Sequence, residues 1–224
     1  MIKKRTEPDE LKILREAPDV KDLDPKSAFQ MLRNPLKAQV AEQLKREQGH
    51  LCVYCMSRIP REDKDPEIPG TTIEHFIPLD PADGRNVGQA LDYQNLFVVC
   101  HGNMKAHRRG MPHTRNTEAL ICDKHRGNTE FRRIHPLRRD TLTSIFYHLN
   151  GRIDAADPDV KFDLINTLNL NSPNSPLISE RKKVLDVLIA ELGTVDQKLL
   201  AGLCSELLDS FMREDDPKTP YVGG

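Results

Sequence analysis

Apolar positions near the start of the chain repeat with a helical period. Leu36, Val40 and Leu44 recur every four residues, which predicts one buried face of a helix. Asn34-Pro35 fits an N-cap followed by a proline at the first helical position, and Gly49 fits a C-terminal stop. We therefore expect a helix of about three to four turns at this place.

The next segment is rich in proline and glycine, which predicts mostly loop, and a short strand follows it. Between Ser57 and Asp92, only the stretch from Thr71 to Phe76 is free of these breakers for long enough to form regular structure. The apolar run from Leu96 to Val99 is typical of a buried strand, and it leads directly into Cys100.

The last third of the chain predicts a β-hairpin followed by helices. Asn150-Gly151 separates two strand-like segments and favours a type I′ turn. Asp157-Pro158 predicts a helix start, Gly193 a helix end, and Thr194 with Gln197 a capping box for a final helix. The apolar positions of the two long helices are Ile178, Leu185, Leu188 and Leu192, then Leu200, Leu203, Leu207 and Phe211.

Length and composition place the chain among ordinary globular proteins. Its 224 residues suffice for one large domain or two small ones without disulfides, and it is 38% hydrophobic and 30% charged. Residues 1–24 are charge-rich and weakly periodic, which indicates an arm. No segment approaches the roughly 18 apolar residues of a membrane span. These features predict a cytoplasmic protein without membrane contacts.

The charge is unevenly distributed along the chain. Lys plus Arg is 33 and Asp plus Glu is 34, so the net charge of -1 argues against binding nucleic acid through bulk charge. Residues 101–139, which we call the basic segment, carry ten basic and three acidic residues, or about +7. The remainder therefore carries about -8, and we expect a polarised molecule whose basic face meets phosphate.

Four of the five cysteines have spacing that suits a zinc site. Cys52 and Cys55 form a C-x2-C knuckle, and Cys100 and Cys122 follow downstream. Four thiolates suit a closed structural Zn²⁺ site that could organise a loop-rich region. Two alternatives stay open: buried free thiols, or a histidine in place of Cys122. The histidines in question are His101, His107 and His113; the fifth cysteine, Cys204, falls on a helix pattern that predicts a core position.

Glu74-His75 lies between the two halves of this cysteine pattern. A carboxylate can hold a Mg²⁺-like ion that neutralises phosphate, while an imidazole can remove a proton from water. Adjacent residues in an extended backbone project in different directions, so the pair offers both chemistries at one place. The Glu-His dipeptide alone is common and indicates no function, so its interpretation depends on the motifs around it.

In its motif order, the chain resembles the HNH nucleases. The order is Cys52-x2-Cys55, Glu74-His75, Asp92 to Leu96, Cys100 and Cys122-Asp123-x2-Arg126-Gly127. Over residues 30 to 190 it is similar, more narrowly, to the HNH component of Septu-type and retron-associated anti-phage defence systems. Features that carry the closer match are residues 47–51, the Cys-Asp-x-x-basic-Gly motif, residues 146–153, residues 168–171 and Arg181.

This resemblance implies an α+β fold with a ββα-metal core stapled by zinc and flanked by helices. Three regions follow from it: an N-terminal arm and helices over 1–50, the nuclease core over 51–140, and a β-hairpin with C-terminal helices over 141–224. The family implies phosphodiester hydrolysis, with DNA as the expected substrate.

Roles for individual side chains also follow from the resemblance. His75 would be the general base, Glu74 and Asp123 would hold a single Mg²⁺ or Mn²⁺, and Asn95 would orient the loop or the imidazole of His75. The family usually has His or Asn where this chain has Asp123. The competitors for that second ligand are His101, Asn103 and His125.

Six cations are expected to contact nucleic acid. The resemblance places two of them where phosphate oxygens pass, and the remaining two pairs belong to the basic segment. They are Lys124 and Arg126, then Arg108, Arg109, Arg132 and Arg133.

The defence-system resemblance implies partners as well. An ABC-type ATPase encoded nearby would gate the nuclease, and the acidic helical C-terminal part is the expected docking surface. A retron reverse transcriptase with its RNA–DNA product is a further expected partner. The alternative function is a non-catalytic, zinc-stapled module that binds nucleic acid or protein.

Overall fold

The computed structural model describes residues 2, 4–59, 71–80, 90–103, 117–194 and 196–212. Within these ranges the chain is mixed α+β, as predicted, with two small antiparallel sheets. The helices are α1 (Asp9–Glu16), α2 (Pro25–Gln30), α3 (Leu36–Glu47), α4 (Cys122–Arg126), α5 (Arg139–Leu142), α6 (Pro158–Phe162), α7 (Leu177–Gly193) and α8 (Gln197–Met212). The strands are β1 (Thr71–His75), β2 (Leu96–Cys100), β3 (Ile145–Tyr147) and β4 (Ile153–Ala155).

Strands β1 and β2 form the first of the two sheets. They pair antiparallel, with Thr71 opposite Cys100 and His75 opposite Leu96. Every residue of β2 is buried, as its continuous apolar run predicts. The predicted strand at Leu96 is confirmed, the stretch from Thr71 forms its partner, and the register places the Glu74-His75 end of β1 beside the start of β2.

Helix α3 covers β2 and connects to it through one side chain. Val40 and Leu44 are buried on the predicted face of the helix. The buried Gln48 amide donates to the Val98 carbonyl at 2.8 Å, and its oxygen accepts from the Val98 N–H at 2.8 Å. Gln48 therefore satisfies the edge of β2 in the way that a neighbouring strand would.

The start of α3 differs from the prediction, whereas its end agrees. Pro35 occupies the N-cap position without a side-chain cap, so the prediction of Asn34 as N-cap was wrong. The reason is a preceding turn, closed by the Lys37 N–H to the Arg33 carbonyl at 2.9 Å, which already leads the backbone into the helix. Gly49 has a φ of 61°, which suits its role as the predicted stop.

The predicted hairpin is present as β3 and β4, but its turn is not type I′. Gly151 has a φ of 83°, whereas Asn150 is not in the positive-φ region that a type I′ turn requires. The His148 N–H donates to the Arg152 carbonyl at 2.8 Å, which makes the loop longer than two residues. Asn150 stabilises the loop through its side chain, which accepts from the Arg152 N–H at 3.0 Å.

The region after the hairpin anchors a loop of the basic segment. The Asp157 carboxylate caps α6 by accepting from the Asp159 and Val160 N–H groups, as the Asp157-Pro158 pattern predicts. The helix continues as a π-helical turn, Asp163–Thr167. Asp163 is fully buried and accepts from three successive N–H groups, those of residues 132, 133 and 134. This carboxylate fixes the path of the 132–134 loop.

Helices α7 and α8 confirm two predicted elements and correct two details. Helix α7 ends at Gly193 as predicted, but the Thr194 hydroxyl donates to the Glu191 carbonyl at 2.8 Å. The hydroxyl thus contacts the end of α7, and because α8 begins at Gln197, Thr194 is not at its N-cap position and the predicted capping box was wrong. Cys204 is exposed, so its predicted core position was also wrong. Helix α8 packs against α7, and Cys204 lies on its solvent side.

Candidate metal centre and active site

Four cysteines form one compact, buried group, which we call the cysteine cluster. It contains Cys52 and Cys55 from the knuckle after α3, Cys100 at the end of β2 and Cys122 at the start of α4. Their four sulfur atoms lie within 4.8 Å of one another, and three of the sulfur pairs are separated by 3.8 to 4.0 Å. A tetrahedral zinc ion bonded to each sulfur at about 2.3 Å separates the sulfurs by about 3.8 Å. The cluster could therefore hold a structural metal such as zinc.

Tight turns bring these sulfurs together. In the first knuckle, the Met56 N–H donates to the Cys52 carbonyl at 3.0 Å, and Met56 has a φ of 58°. In the second, the Gly102 N–H donates to the Cys100 sulfur at 3.4 Å. A Cβ on Gly102 would lie 2.8 Å from the Ile121 carbonyl oxygen, so this close turn requires glycine.

Among the described residues, the fourth member of the cluster is Cys122, as predicted. His101 is outside the four-sulfur group, and the other two histidines considered, His107 and His113, lie outside the described residues. Burial raises the pKa of the Cys122 thiol, whereas hydrogen bonding, foremost with Cys100, lowers the pKa of Cys55. A bound dication would allow all four thiols to ionise, because metal ligation and deprotonation are coupled.

A cleft of about 270 Å³ lies beside the cysteine cluster and brings three predicted site residues together. Glu74 and His75 reach it from the end of β1, and Asp123 reaches it from the first turn of α4. Asp123 directly follows the cluster member Cys122, so the cluster fixes where its carboxylate lies. The other residues that line the cleft are Lys26, Pro78, Leu79, Asp80, Gly127 and Asn128.

The Glu74 carboxylate is tied to a buried arginine and a buried tyrosine. Arg126 Nη1 lies 2.5 Å from Glu74 Oε1, and the Tyr54 hydroxyl donates to the same oxygen at 3.0 Å. Burial, followed by the charge of Asp123, raises the pKa of Glu74 to about 8 despite the nearby guanidinium. Two carboxyl groups held this close repel each other, and a divalent cation between them would offset the repulsion.

The imidazole of His75 is held in a defined orientation. Its Nε2 lies 2.9 Å from the Ala90 carbonyl oxygen, and the Phe29 ring packs at right angles to it with centroids 4.5 Å apart. Because a carbonyl oxygen only accepts, Nε2 carries the proton and Nδ1 is left as the basic nitrogen. Burial lowers the pKa of His75, so the imidazole is neutral at neutral pH.

Asn95 acts on the loop that follows His75. Its side-chain oxygen accepts from the Ile77 N–H at 2.7 Å, and its amide donates to the Ile77 carbonyl at 3.1 Å. The Asn95 carbonyl accepts from the Phe76 N–H at 2.9 Å. This asparagine therefore fixes the backbone on the C-terminal side of the imidazole.

One predicted phosphate contact conflicts with the structure. The Arg126 side chain is fully buried, and its guanidinium donates to Glu74, to the Tyr54 hydroxyl and to the carbonyls of residues 75, 76 and 129. It also lies 4.3 Å above the Phe131 ring. Its role in this position is to cross-link α4 to β1, because no part of the guanidinium reaches solvent.

The three other predicted phosphate contacts within the described residues, Lys124, Arg132 and Arg133, are nearer the surface, and acidic residues lie beside them. Lys124 Nζ lies 2.8 Å from Asp123, and Arg133 Nε lies 2.8 Å from Asp157. Arg132 stacks over the Phe162 ring. Arg108 and Arg109 lie outside the described residues. The charge of the basic segment is thus partly offset by residues that are distant in the sequence.

The competitors for the second metal ligand lie elsewhere. None of them is among the described residues that line the cleft. The Asn103 amide donates to the Ala119 and Asn174 carbonyls, and His125 Nδ1 lies 3.0 Å from the Thr167 carbonyl. His101 Nδ1 is buried without a hydrogen-bond partner. Asp123 therefore remains the residue placed with Glu74.

Sequence reasoning missed the contribution of α2, which supplies Lys26 and Phe29 to the site. The helix begins at Pro25, and the Asp24 carboxylate caps it by accepting from the N–H groups of residues 26 and 27. This is the same signature that correctly predicted a helix at Asp157-Pro158, so the helix itself could have been found. No local pattern indicates which site its side chains approach.

A scan of the chain against protein-family models finds no match, and a search among curated proteins finds none either. Among the helices in the described ranges, none combines the length and apolar character needed to cross a bilayer.

We expect the purified protein to hold one zinc ion per chain in the cysteine cluster. Cys100→Ser should lose the ion and lower the free energy of unfolding by several kcal/mol, since structural zinc sites contribute roughly 10 kcal/mol or more of apparent binding energy. Elemental analysis and chemical denaturation measure the two effects. Cys204→Ser is the matched control and should change neither, because Cys204 is exposed. Full metal content in Cys100→Ser would contradict the assignment.

Proposed function

We propose that the protein is a metal-dependent HNH endonuclease that hydrolyses phosphodiester bonds, with DNA as the expected substrate. The observation that carries the proposal is the convergence of Glu74, His75 and Asp123 on one cleft. Nothing in ordinary packing requires two carboxyl groups and a buried imidazole to share a cavity. Such a combination is the usual equipment of metal-assisted hydrolysis.

The order of elements around the cleft supports the HNH interpretation. An antiparallel pair, β1 and β2, is followed in the chain by the short helix α4, which packs against β2. This is the strand, strand, helix order of a ββα-metal core. The cysteine cluster joins the end of β2 to the start of α4, which is where a zinc staple would hold that core together.

His75 has the properties of a general base. Its neutral imidazole can accept a proton at Nδ1 from an attacking water, while the Ala90 carbonyl keeps Nε2 protonated and the ring oriented. Phe29 packs against the ring, and Asn95 fixes the backbone that follows it. The base is therefore held ready before substrate arrives.

Glu74 and Asp123 fit a site for a divalent ion. Carboxylate oxygens are the ligands that Mg²⁺ and Mn²⁺ prefer, and both residues line the cleft. A bound Mg²⁺ or Mn²⁺ would neutralise charge on the phosphate and on the leaving oxygen. Arg126 and Tyr54 both contact Oε1 of Glu74, and the carboxyl groups of Glu74 and Asp123 are hydrogen-bonded to each other, so a bound ion would take the place of the proton between them.

We expect cleavage of duplex DNA in the presence of Mg²⁺ or Mn²⁺, and His75→Ala should reduce the rate by about 10²- to 10⁴-fold. Cleavage is measured on a labelled plasmid, with zinc content and far-UV circular dichroism recorded for each variant. His148→Ala is the matched control and should cleave normally, because the His148 side chain is about half exposed and does not line the cleft.

Two results of that experiment would count against the proposal. If His75→Ala folds, keeps its zinc and cleaves like the parent, His75 is not the base. If the parent binds DNA but does not cleave it with any divalent ion, either alone or with its partner, the alternative of a zinc-stapled binding module is correct.

We also propose that an ABC-type ATPase encoded nearby gates the nuclease by docking on α7 and α8. These helices expose apolar side chains, with Val187 and Leu199 at 58% and 66% exposure, which supports an interaction surface. A retron reverse transcriptase with its RNA–DNA product would complete such a complex.

A chain truncated after Gly193 should lose co-purification with the ATPase. Retained co-purification would exclude α8 from the docking surface, and His148→Ala, which lies outside α7 and α8, serves as the control.

A further inference from the structure

Helix α2 places one lysine at the mouth of the cleft. The Asp24 cap and Pro25 at the first helical position start the helix so that Lys26 lines the cleft that also contains Glu74 and Asp123. Lys26 Nζ lies 2.6 Å from Asp80 Oδ2, and Asp80 also lines the cleft. Both side chains are more than half exposed, at 60% and 54%.

The cations nearest the cleft differ in whether they can meet a phosphate. Arg126 is buried and committed to Glu74, and Lys124 pairs with Asp123. Lys26 is the single lysine or arginine among the described residues that line the cleft. Three acidic residues line the same cleft, so among the described lining residues Lys26 is the cation that an approaching phosphate can meet, together with a bound metal ion.

The ion pair between Lys26 and Asp80 is of the kind that exchanges easily. Exposed lysine–carboxylate pairs contribute only about 0–1 kcal/mol, because water and salt screen them and both side chains lose entropy. A nucleic-acid phosphate offers the same ammonium a negative oxygen, and its binding releases counterions from the nucleic acid. Asp80 can therefore be replaced by a phosphate at little cost.

We propose that Lys26 contacts a backbone phosphate of the nucleic acid in the cleft and exchanges Asp80 for that phosphate. The inference rests on the proposed nuclease function, and it adds a substrate contact that neither the basic segment nor the nuclease motif contains. Helix α2 would then contribute to the site in two ways. Phe29 packs against the imidazole of His75, and Lys26 holds the phosphodiester beside that imidazole.

Binding of a 20-base-pair DNA duplex tests the contact separately from cleavage. Measurements use full-length protein in the His75→Ala background with Ca²⁺ and no chelator, over a range of salt concentrations. Adding Lys26→Gln should weaken binding on the order of five- to tenfold at 0.1 M salt, and the slope of log K against log salt should fall by about 0.9, the value for one phosphate contact.

A second ion pair in the same chain provides the matched control. Lys182 Nζ lies 2.6 Å from Asp186 Oδ1 on α7, with side-chain exposures of 50% and 53%, and neither residue lines the cleft. Lys182→Gln removes the same charge from a similar pair. Affinity and salt slope should both stay at the parent values.

Substitution of the acidic partner should act in the opposite direction. Asp80→Asn frees Lys26 and removes a charge that repels phosphate, so binding should tighten by about two- to fivefold. Asp186→Asn is the corresponding control and should leave binding unchanged. Circular dichroism of each variant checks that the exposed substitutions do not alter the fold.

The inference and the proposed function fail in different ways. Suppose that the parent protein, with His75 in place, cleaves DNA, but Lys26→Gln leaves the affinity and the slope of log K against log salt unchanged. Lys26 is then not a phosphate contact, and the nuclease function stands. The same holds if Lys182→Gln weakens binding as much as Lys26→Gln. If the parent never cleaves yet Lys26→Gln lowers both quantities, the phosphate contact stands and the nuclease function falls.

Discussion

The clustering of four cysteine sulfurs is the constraint on which the candidate site depends. Three segments meet there: the knuckle after α3, the end of β2 and the start of α4. Each of them lies in a loop or at the end of a helix or strand. Once Cys122 is fixed, Asp123 follows at the cleft and Arg126 reaches Glu74 from the next turn of the same helix. Tyr54, inside the first knuckle, donates to the same carboxylate. A structural metal would therefore also position the residues of the cleft.

The chemistry of the cleft depends on ionisable side chains that are buried there. Glu74 shares a cavity with Asp123, and the pKa of Glu74 rises to about 8, chiefly because the residue is buried. The Arg126 guanidinium is buried against Glu74, and Lys124 pairs with Asp123, so each carboxyl group has a cation beside it. A divalent ion would complete the neutralisation. The basic segment, in contrast, meets acids from distant parts of the chain, such as Asp157, so its summed charge overstates what a nucleic acid would meet.

Local signals predicted what local physics determines. The apolar run at Leu96 gave β2 because a buried strand needs continuous hydrophobicity, and Asp157-Pro158 gave a helix start because the cap and the proline act within one turn. Features decided by distant contacts could not be predicted in this way. Arg126 points inward because Glu74 and Phe131 are there, and Cys204 is exposed although its helical pattern suggested a core position.

The most direct measurement is anomalous X-ray scattering, at the zinc and manganese edges, from crystals of the full chain soaked in Mn²⁺. Zinc should lie among the four sulfurs of the cysteine cluster, and manganese should lie in the cleft against the Glu74 and Asp123 carboxylates. Zinc at the cluster with no manganese in the cleft would contradict the assignment of these two carboxylates as ligands of a catalytic ion.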